Sequence, residues 1–204
     1  MSEAKTPLVS AILLAAGKSE RMGQQNKLLL PFGGQTVIQR TLDNLTASRA
    51  GEVIVVLGSK AQEINQSIGH RRVVSVLNPN YARGMSTSLI SGLGMVGSRA
   101  RFILVALGDQ PLITTQVYNR LIDAALDTDK GIVLPTYKGE RGNPIIISTR
   151  YRDDLLRQTG DVGGRELLRK YPADVLEVPV ECEGVIININ TREEYEKRLK
   201  SLKH

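Results

Sequence analysis

A glycine-containing turn with nearby basic residues follows the first apolar segment of the chain. Residues 9–14 are typical of a buried strand, and they lead to Gly17, with Arg21 and Lys27 a few positions further on. Backbone N–H groups in such a turn can bind an anion, and the two cations add positive charge. The turn is therefore expected to bind a triphosphate. The alternative is an ordinary surface turn, with Lys27 lying along the surface and its ammonium group in water.

A second turn, Gly108-Asp109-Gln110-Pro111, follows another apolar run at residues 102–107. A carboxylate at the end of a buried strand is costly unless it is solvated, paired or bound to a cation. On its own, Asp109 fits two roles equally well: a cap of the following turn, or a ligand of Mg²⁺ that also binds phosphate oxygens. Both turns leave the carboxyl ends of strands, so we expect them at the ligand-binding edge of one sheet.

The composition excludes several classes of protein. The 204 residues fit one domain, and no apolar run is long enough to span a bilayer, so no membrane association is expected. Cys182 is the single cysteine, which rules out an internal disulfide and favours the cytoplasm. Because the chain has only two histidines, neither a zinc site nor a catalytic triad is expected. Aromatics make up 4% of the chain and do not alternate with basic residues, so nucleic acid is not an expected partner despite the net charge of +6.

Apolar runs and helical periodicity alternate along the chain. The runs predict strands at residues 9–15, 53–57, 73–77, 102–107, 132–134, 145–147, 175–178 and 185–189. The 3.6-residue spacing predicts helices at residues 36–47, 86–96, about 114–126 and from 191 onwards; Thr36-x-x-Gln39 and Thr191-x-x-Glu194 are capping boxes. This order predicts an α/β, Rossmann-like three-layer fold with a mostly parallel central sheet. In residues 132–148, two short apolar runs flank a polar, glycine-containing turn, which predicts a small β-hairpin flap over a bound ligand.

A set of short motifs extends over most of the chain. It comprises Leu14-Ala15-Ala16-Gly17 with Arg21, Gly23 and Lys27, then Asn78-Pro79, Gly84-Met85-Ser86-Thr87-Ser88, Gly108-Asp109-Gln110-Pro111, Gly142-Asn143-Pro144, Gly160-Asp161-Val162-Gly163-Gly164-Arg165 and Asn188-Ile189-Asn190-Thr191. Together these motifs resemble those of nucleotidyltransferases with a glycosyltransferase-A-type fold. Within that superfamily the chain, from about residue 9 to residue 200, is most similar to the molybdenum cofactor cytidylyltransferases. The first motif is specific for nucleotidyl transfer, and the others narrow the subfamily.

The resemblance implies roles for particular residues. Lys27, Arg21 and Asp109 would be catalytic. The nucleotide would contact Leu14, Ala15, Ala16, Gly17, Arg21, Lys27, Asn78, Gly84, Ser86, Ser88 and Asp109. The acceptor would contact Gln110, Asn143, Pro144, Asp161, Gly163 and Arg165. Asp109 would bind Mg²⁺, with Asn190 as the better candidate for a second ligand and Asn188 as the weaker one.

Several of these residues also have a simpler interpretation, and some depart from the family pattern. Ser86 and Ser88 could simply be helix caps, Asn78 could simply start a turn, and Arg165 could be a solvated helix residue. Related cytidylyltransferases often have aspartates where this chain has Asn188 and Asn190; amide oxygens bind Mg²⁺ without contributing charge. Asn143 stands where a histidine is common. Ala16 favours CTP, because the guanylyltransferase branch usually has a second glycine there.

The resemblance implies a single nucleotidyltransferase domain over residues 1–204, with a nucleotide-binding half at residues 7–111 and an acceptor-binding half at 112–204. The implied reaction is the Mg²⁺-dependent transfer of CMP from CTP to a phosphorylated acceptor, molybdopterin-type molybdenum cofactor, with release of pyrophosphate. A molybdoenzyme is a candidate partner, and a monomer is expected. Two alternatives stay open: a nucleotidyltransferase that uses GTP or acts on a sugar phosphate or other metabolite, and a non-catalytic nucleotide-binding or cofactor-delivery protein.

Overall fold

Ten strands and seven α-helices make up the regular structure of the computed structural model, which describes residues 9–19, 22, 25–160 and 164–201. The strands are β1 (Val9–Ala15), β2 (Pro31–Phe32), β3 (Gln35–Thr36), β4 (Glu52–Leu57), β5 (Val74–Leu77), β6 (Phe102–Leu107), β7 (Ile132–Tyr137), β8 (Glu140–Arg141), β9 (Ile145–Ser148) and β10 (Val175–Pro179). The helices are α1 (Val37–Thr46), α2 (Ala61–Ile68), α3 (Met85–Leu93), α4 (Thr115–Asp127), α5 (Arg152–Leu156), α6 (Arg165–Lys170) and α7 (Arg192–Ser201).

Parallel pairing dominates the central sheet, as the alternation of apolar runs and helices predicts. The strand order is β10-β7-β9-β6-β1-β4-β5, with β8 paired to β7. Strand β1 pairs in parallel with both β4 and β6, whereas β9 runs antiparallel between β6 and β7. Leu14 lies opposite Leu107, so the turns that follow β1 and β6 leave the sheet side by side. The predicted fold class is confirmed.

Helices cover both faces of the sheet because the central strands are apolar on both sides. Along β1, Leu13 packs into the core that contains the buried residues of α1, α2 and α4. Its neighbour Ile12 points to the opposite face, where α3, α5 and α6 supply Leu89, Leu155 and Leu167. These are the three layers of a helix–sheet–helix sandwich. Among the described residues, no helix combines the length and the apolar character needed to cross a bilayer.

Both predicted capping boxes are present. At the start of α1, Thr36 Oγ1 accepts a 3.3 Å hydrogen bond from the Gln39 N–H, and Gln39 Oε1 accepts a 2.8 Å bond from the Thr36 N–H. At the start of α7, the Thr191 N–H donates to Glu194 Oε2 at 2.9 Å, and the Glu194 N–H donates to Thr191 Oγ1 at 3.2 Å. Each box satisfies N–H groups that have no partner inside the helix, which fixes where α1 and α7 begin.

The prediction of a strand at residues 185–189 is wrong. A 3-10 turn at Glu183–Ile186 takes its place and is followed by irregular backbone. Its polar groups pair with other segments rather than with a sheet neighbour: the Val185 carbonyl accepts from the Asn143 N–H at 2.8 Å, and the Ile189 N–H donates to the Asp109 carbonyl at 3.0 Å. An apolar run can be buried without forming a strand when such groups are satisfied elsewhere.

The predicted hairpin is smaller than residues 132–148. Strands β7 and β9 are buried parts of the central sheet, and only the tip around β8 is exposed. The tip turns through Lys138 and Gly139, which both have positive φ, at 50° and 83°. Such a pair of residues matches the twist of a two-residue hairpin turn. The predicted helix at 86–96 is shorter too, because α3 ends at Leu93.

Candidate active site

An ion pair between Lys27 and Asp109 lies where the two predicted turns meet. Lys27 opens the 3-10 turn Lys27–Leu29, and Asp109 follows β6. The Lys27 ammonium contacts the Asp109 carboxylate and donates a 2.9 Å hydrogen bond to Oδ1 of Asn190, which precedes α7. The Lys27 and Asp109 side chains are 15% and 12% exposed. Three distant parts of the sequence thus converge on one partly shielded charge cluster.

Asn26 and Ser19 hold Lys27 in place. The Asn26 side chain, which is buried, accepts a 3.0 Å hydrogen bond from the Leu28 N–H and caps the 3-10 turn. Ser19 Oγ contacts Asn26 Oδ1 at 3.3 Å and accepts from the Lys27 N–H at 3.3 Å. These bonds connect Ser19 to Asn26 and Lys27. The sequence analysis missed both residues, although an asparagine just before an apolar run is a helix-start signal.

Gln110 cross-links the turn after β6 to the segment that carries Asn188 and Asn190. Its side chain is fully buried, and Nε2 donates at 3.3 Å to the carbonyl groups of both Val185 and Ile187. It lines neither of the cavities described below. This amide positions the backbone of residues 185–187 beside Asp109, and the predicted contact between Gln110 and an acceptor stays a prediction.

Two adjoining cavities lie near the ion pair, and the larger of these two, about 620 Å³, opens at the carboxyl ends of β1 and β6. The predicted site residues that line it are Leu14, Ala15, Ala16, Gly17, Lys27, Gly84, Ser88, Asp109, Asn188 and Asn190. It is also lined by residues to which the sequence analysis gave no site role: Lys18, Ser19, Leu28, Tyr81, Ala82, Met85 and Leu107. This position at the strand ends is where open α/β sheets bind ligands.

Gly58 allows one wall of this larger cavity to form. A Cβ atom on Gly58 would lie 2.7 Å from Cβ of both Ala16 and Tyr81, closer than any real contact. The next residue, Ser59, donates its N–H to the Ala16 carbonyl at 3.1 Å. Only glycine lets the end of β4 approach the turn after β1 this closely. The sequence analysis missed Gly58, since nothing in the local sequence reveals a contact between distant segments.

Asn78 and Ser86 lie behind the larger cavity rather than in its wall. The Asn78 side chain is buried; its amide donates to Thr87 Oγ1 at 2.9 Å and to Ser88 Oγ at 3.0 Å, and its carbonyl accepts from the Asn80 N–H at 2.9 Å. Ser86 is also buried, and its N–H donates to the Gly160 carbonyl at 2.9 Å. These bonds hold the first turn of α3, and the predicted contacts of both residues with a nucleotide stay predictions.

The smaller cavity, about 490 Å³, adjoins the larger one, and Asn188 and Asn190 line both. Of the predicted acceptor residues, Asn143 and Arg165 line it. Pro144 is buried and does not line it, and its predicted contact with the acceptor stays a prediction. The sequence analysis missed Arg141 and two residues of α7, Lys197 and Arg198, which also line this cavity.

Gly142 brings the hairpin tip against the same segment. A Cβ atom on Gly142 would lie 2.5 Å from the Val185 carbonyl oxygen, which is backbone and cannot move aside alone. The Asn143 N–H donates to that oxygen at 2.8 Å. The wall of the smaller cavity therefore depends on a close approach of two backbones. Arg21, Asp161 and Gly163 lie outside the described residues.

The donor set at the ion pair fits a divalent cation. An Asp109 carboxylate oxygen and the Asn190 amide oxygen both point at the Lys27 ammonium, so two oxygen donors already converge on a positive charge. Among the described residues, no group of three or more His, Cys, Asp or Glu side chains could hold a metal alone. Mg²⁺ is commonly bound by one or two carboxylates together with substrate phosphates, and this arrangement matches that pattern.

A mostly parallel, helix-covered sheet with a charged cavity at its strand ends defines the chain as an α/β nucleotide-binding protein. Residues 11–175 match the family described as the MobA-like NTP transferase domain. The chain belongs to this family and is a nucleotidyltransferase, which confirms the resemblance that its motifs show.

Two curated relatives and two solved structures are similar to the chain over nearly their whole length. The chain is 30% identical to nicotine blue oxidoreductase of Paenarthrobacter nicotinovorans, over 90% of this chain and 94% of the relative. It is 26% identical to molybdenum cofactor cytidylyltransferase of Escherichia coli (strain K12), over 92% of this chain and 93% of the relative. Rv0371c from Mycobacterium tuberculosis H37Rv has a similar structure, with a TM-score of 0.86, 29% identity and coverage of 96% and 98%. A second structure of Rv0371c is a complex with manganese, with a TM-score of 0.82, 28% identity and coverage of 95% and 99%.

Proposed function

We propose that the chain transfers CMP from CTP to a phosphorylated acceptor, molybdopterin-type molybdenum cofactor, in a Mg²⁺-dependent reaction that releases pyrophosphate. The observation that carries the proposal is the meeting of two cavities at Asn188 and Asn190, beside the Lys27–Asp109 pair. The larger cavity would hold the nucleotide and the smaller one the acceptor. Their shared wall is where the two substrates would react.

The chemistry needs positioning and positive charge more than a base. A phosphate monoester has a second pKa of about 6, so its oxygen is already deprotonated at neutral pH. This oxygen attacks the α-phosphorus of CTP and forms a new P–O bond, while the bond to the pyrophosphate oxygen breaks and pyrophosphate leaves with the electron pair. Among the described residues, neither cavity is lined by a histidine, which agrees with a reaction that needs no imidazole.

Lys27 would neutralise the charge that builds up on the departing pyrophosphate. Its ammonium already lies at the junction of the turn after β1 and the turn after β6. A fixed cation at that point stabilises the transition state more than the ground state, because the leaving group gains charge as the bond breaks. Arg21 would add a second cation to the same turn.

Asp109 and Asn190 would hold Mg²⁺, with Asn188 as a weaker third candidate. The metal would supply Lewis-acid charge at the phosphate oxygens. The relative Rv0371c, in a structure with manganese, supports a divalent cation in this family without selecting magnesium. The chain itself contributes the two oxygen atoms that Lys27 brings together.

The cavity linings support a division into two functional halves. Apart from Asn188 and Asn190, the larger cavity is lined by residues between Leu14 and Asp109, which fall in the half proposed to bind the nucleotide, residues 7–111. The smaller cavity is lined entirely by residues of the other half, 112–204. We propose both halves as parts of a single domain, with a monomer as the active form, a cytoplasmic location and a molybdoenzyme as the receiver of the product.

The choice of CTP rests on two observations. Ala16 lines the larger cavity at a position where the guanylyltransferase branch usually has glycine, and its methyl group would leave less space for a purine base. The Escherichia coli relative that is 26% identical is a cytidylyltransferase of molybdenum cofactor. GTP use, another phosphorylated acceptor, and a non-catalytic delivery protein are the alternatives that the experiment separates.

The test is pyrophosphate release. Purified protein is incubated with CTP, GTP or ATP, each with Mg²⁺, with and without molybdopterin cofactor, and the Asp109→Ala variant serves as the inactive control. We expect release with CTP that depends on both the acceptor and Mg²⁺. Preference for GTP would overturn the cytidylyl assignment. Nucleotide binding without pyrophosphate release under any condition would favour the delivery protein.

A further inference from the structure

We infer that Lys197 and Arg165 form the binding site for the phosphate monoester of the acceptor; this inference rests on the proposed function and specifies its second substrate. Lys197 lies on α7 and Arg165 is the first residue of α6, and both line the smaller cavity. The motif resemblance already implies that Arg165 contacts the acceptor; the inference adds Lys197 and specifies the phosphate group as the ligand of both side chains. Lys197 is absent from the sequence-based set of site residues.

The charges around the smaller cavity separate into those with partners and those without. Arg141 donates to Glu177 Oε1 at 2.6 and 2.8 Å, and Arg198 lies 3.2 Å from Glu183. These two ion pairs neutralise much of the positive charge of Arg141 and Arg198 within the protein.

Glu194 is also committed, because its Oε2 accepts from the N–H groups of Asn190 and Thr191 at 2.7 and 2.9 Å and caps α7. Within the part of the chain that the structure describes, no hydrogen bond or ion pair engages Lys197 or Arg165. These two cations are therefore available to a ligand.

The two cations that have no partner among the described residues identify the ligand class. Arg141 and Arg198 are paired with Glu177 and Glu183, so Lys197 and Arg165 are the cations of this lining that can bind an anion, beside the carboxylates of Glu140 and Glu194. A volume of about 490 Å³ is within the range that accommodates a small organic molecule rather than a lone ion. A phosphate monoester on a compact organic group satisfies both conditions. Charged donors on two different elements, α6 and α7, can hold the phosphate from separate directions.

The position of the cavity gives this site its role. Asn190 lines the smaller cavity and accepts from Lys27 at 2.9 Å, so a phosphate in the smaller cavity lies next to the residues proposed to bind the triphosphate. Two anionic groups repel each other as they approach. Lys197 and Arg165 offset that repulsion on the acceptor side, as Lys27 does on the nucleotide side.

The experiment compares Lys197→Met and Arg165→Met with Lys200→Met. Lys200 is on α7 too, is exposed, and does not line the smaller cavity. With molybdopterin cofactor as acceptor, we expect each of the first two substitutions to raise the acceptor KM about tenfold, the loss of one charge-assisted hydrogen bond. The KM for CTP should change less than twofold, and Lys200→Met should match the unsubstituted protein.

A binding measurement separates this inference from the proposed reaction. Phenyl phosphate, a phosphate monoester on a ring, is titrated into ¹⁵N-labelled protein, and the side-chain amide signals of Asn188 and Asn190 are followed by NMR. We expect these signals to shift, and the Kd to rise about tenfold in Lys197→Met and Arg165→Met but not in Lys200→Met. If these shifts occur without pyrophosphate release, the anion site stands and the proposed reaction fails. An unchanged Kd in Lys197→Met overturns the inference even if CTP is turned over.

Discussion

Lys27 and Asn190 are 163 positions apart in the sequence, yet the Lys27 ammonium donates a 2.9 Å hydrogen bond to the Asn190 side chain. Asn190 also lines both cavities. One side chain therefore contacts Lys27, which is proposed to bind phosphate, and also belongs to a candidate metal position and to the wall between the proposed substrates. This relationship makes the electrostatics of the centre testable by single substitutions.

Removing the Lys27 ammonium should destabilise the metal-free protein and lower turnover. Lys27→Met leaves the Asp109 carboxylate, whose side chain is 12% exposed, without its cation. Breaking a buried pair by removing one partner costs about 3–5 kcal/mol, and the partial exposure here reduces the expected loss to about 2 kcal/mol. Turnover should fall at least about 100-fold, the typical effect of removing one transition-state donor. Urea unfolding and pyrophosphate release measure the two effects.

The same Lys27→Met substitution should strengthen metal binding in the absence of nucleotide, because no ammonium competes for the oxygens of Asp109 and Asn190. Mn²⁺ titration followed by electron paramagnetic resonance measures this, and Mn²⁺ should recover part of the lost stability. Lys60→Met, at an exposed lysine paired with Glu63, is the matched control. Equal Mn²⁺ affinity in Lys27→Met and the unsubstituted protein would show that the lysine and the metal do not share these oxygens.

Asn190→Asp should lower the Mg²⁺ concentration needed for half-maximal activity. The substitution replaces the neutral oxygen that faces Lys27 with a charged one, and Mg²⁺ binds carboxylates more strongly than amides. Related cytidylyltransferases often have aspartate at this position, so the change should be tolerated. Activity is measured across a Mg²⁺ series, with Asn190→Ala as the comparison. A higher Mg²⁺ requirement in Asn190→Asp would argue against Asn190 as a metal ligand.

Gly142→Ala should damage the smaller cavity. The added methyl group would lie 2.5 Å from the Val185 carbonyl oxygen and would push the hairpin away from residues 185–190. Overpacking of this kind costs about 1–3 kcal/mol. We also expect a higher acceptor KM with a nearly unchanged CTP KM. Gly97→Ala is the control, because a methyl group there meets only one atom, at 3.9 Å. Equal stability of the two variants would contradict the close approach.

Asp174 should contribute to stability at neutral pH but not in strong acid. Burial raises the pKa of Asp174, but hydrogen bonds from Arg150 and Tyr151, and one of 3.0 Å from the Gly131 N–H, outweigh burial and hold the pKa below its usual value. A lowered folded-state pKa means that the stabilisation is present above the ordinary Asp pKa of about 3.9 and is lost as the pH falls through the folded-state value.

Asp174→Asn tests this contribution. Its partner Arg150 is 48% exposed, so solvent weakens the pair and the expected cost at pH 7 is about 1 kcal/mol. Urea unfolding of both proteins is compared at pH 7 and near pH 3, and the difference between them should shrink at the lower pH. A difference that stays constant would mean that the carboxylate charge plays no part.

Sequence patterns predicted the parts of the fold that depend on local signals. The strands β1 and β6 are continuous apolar runs. In the capping boxes, the hydroxyl groups of Thr36 and Thr191 accept from N–H groups only three positions further along the chain. The approach of Lys27 and Asp109 followed from the same logic, because parallel strands end at the same edge of a sheet. Helix α2 was missed, since it begins after Lys60, which has a left-handed backbone and no side-chain cap.

The positions of side chains that the sequence did not predict depend on burial, which the chain pattern does not encode. Asn78 and Gln110 have the polar side chains expected of ligand contacts, and both lie in the interior with their amides bonded to other segments. Lys197 resembles any other lysine of a polar helix until the fold places it at a cavity. Such distinctions require knowledge of which distant segments pack together.

The partition of the site by Asn188 and Asn190 has a consequence for the end of the proposed reaction. A dinucleotide-like product would lie across both compartments and contact two walls at once, whereas each starting compound contacts one. It should therefore dissociate slowly and inhibit competitively against both starting compounds. Escape of the product, rather than formation of its phosphoanhydride, would then limit the steady-state rate, and a protein that accepts the finished cofactor directly would accelerate turnover.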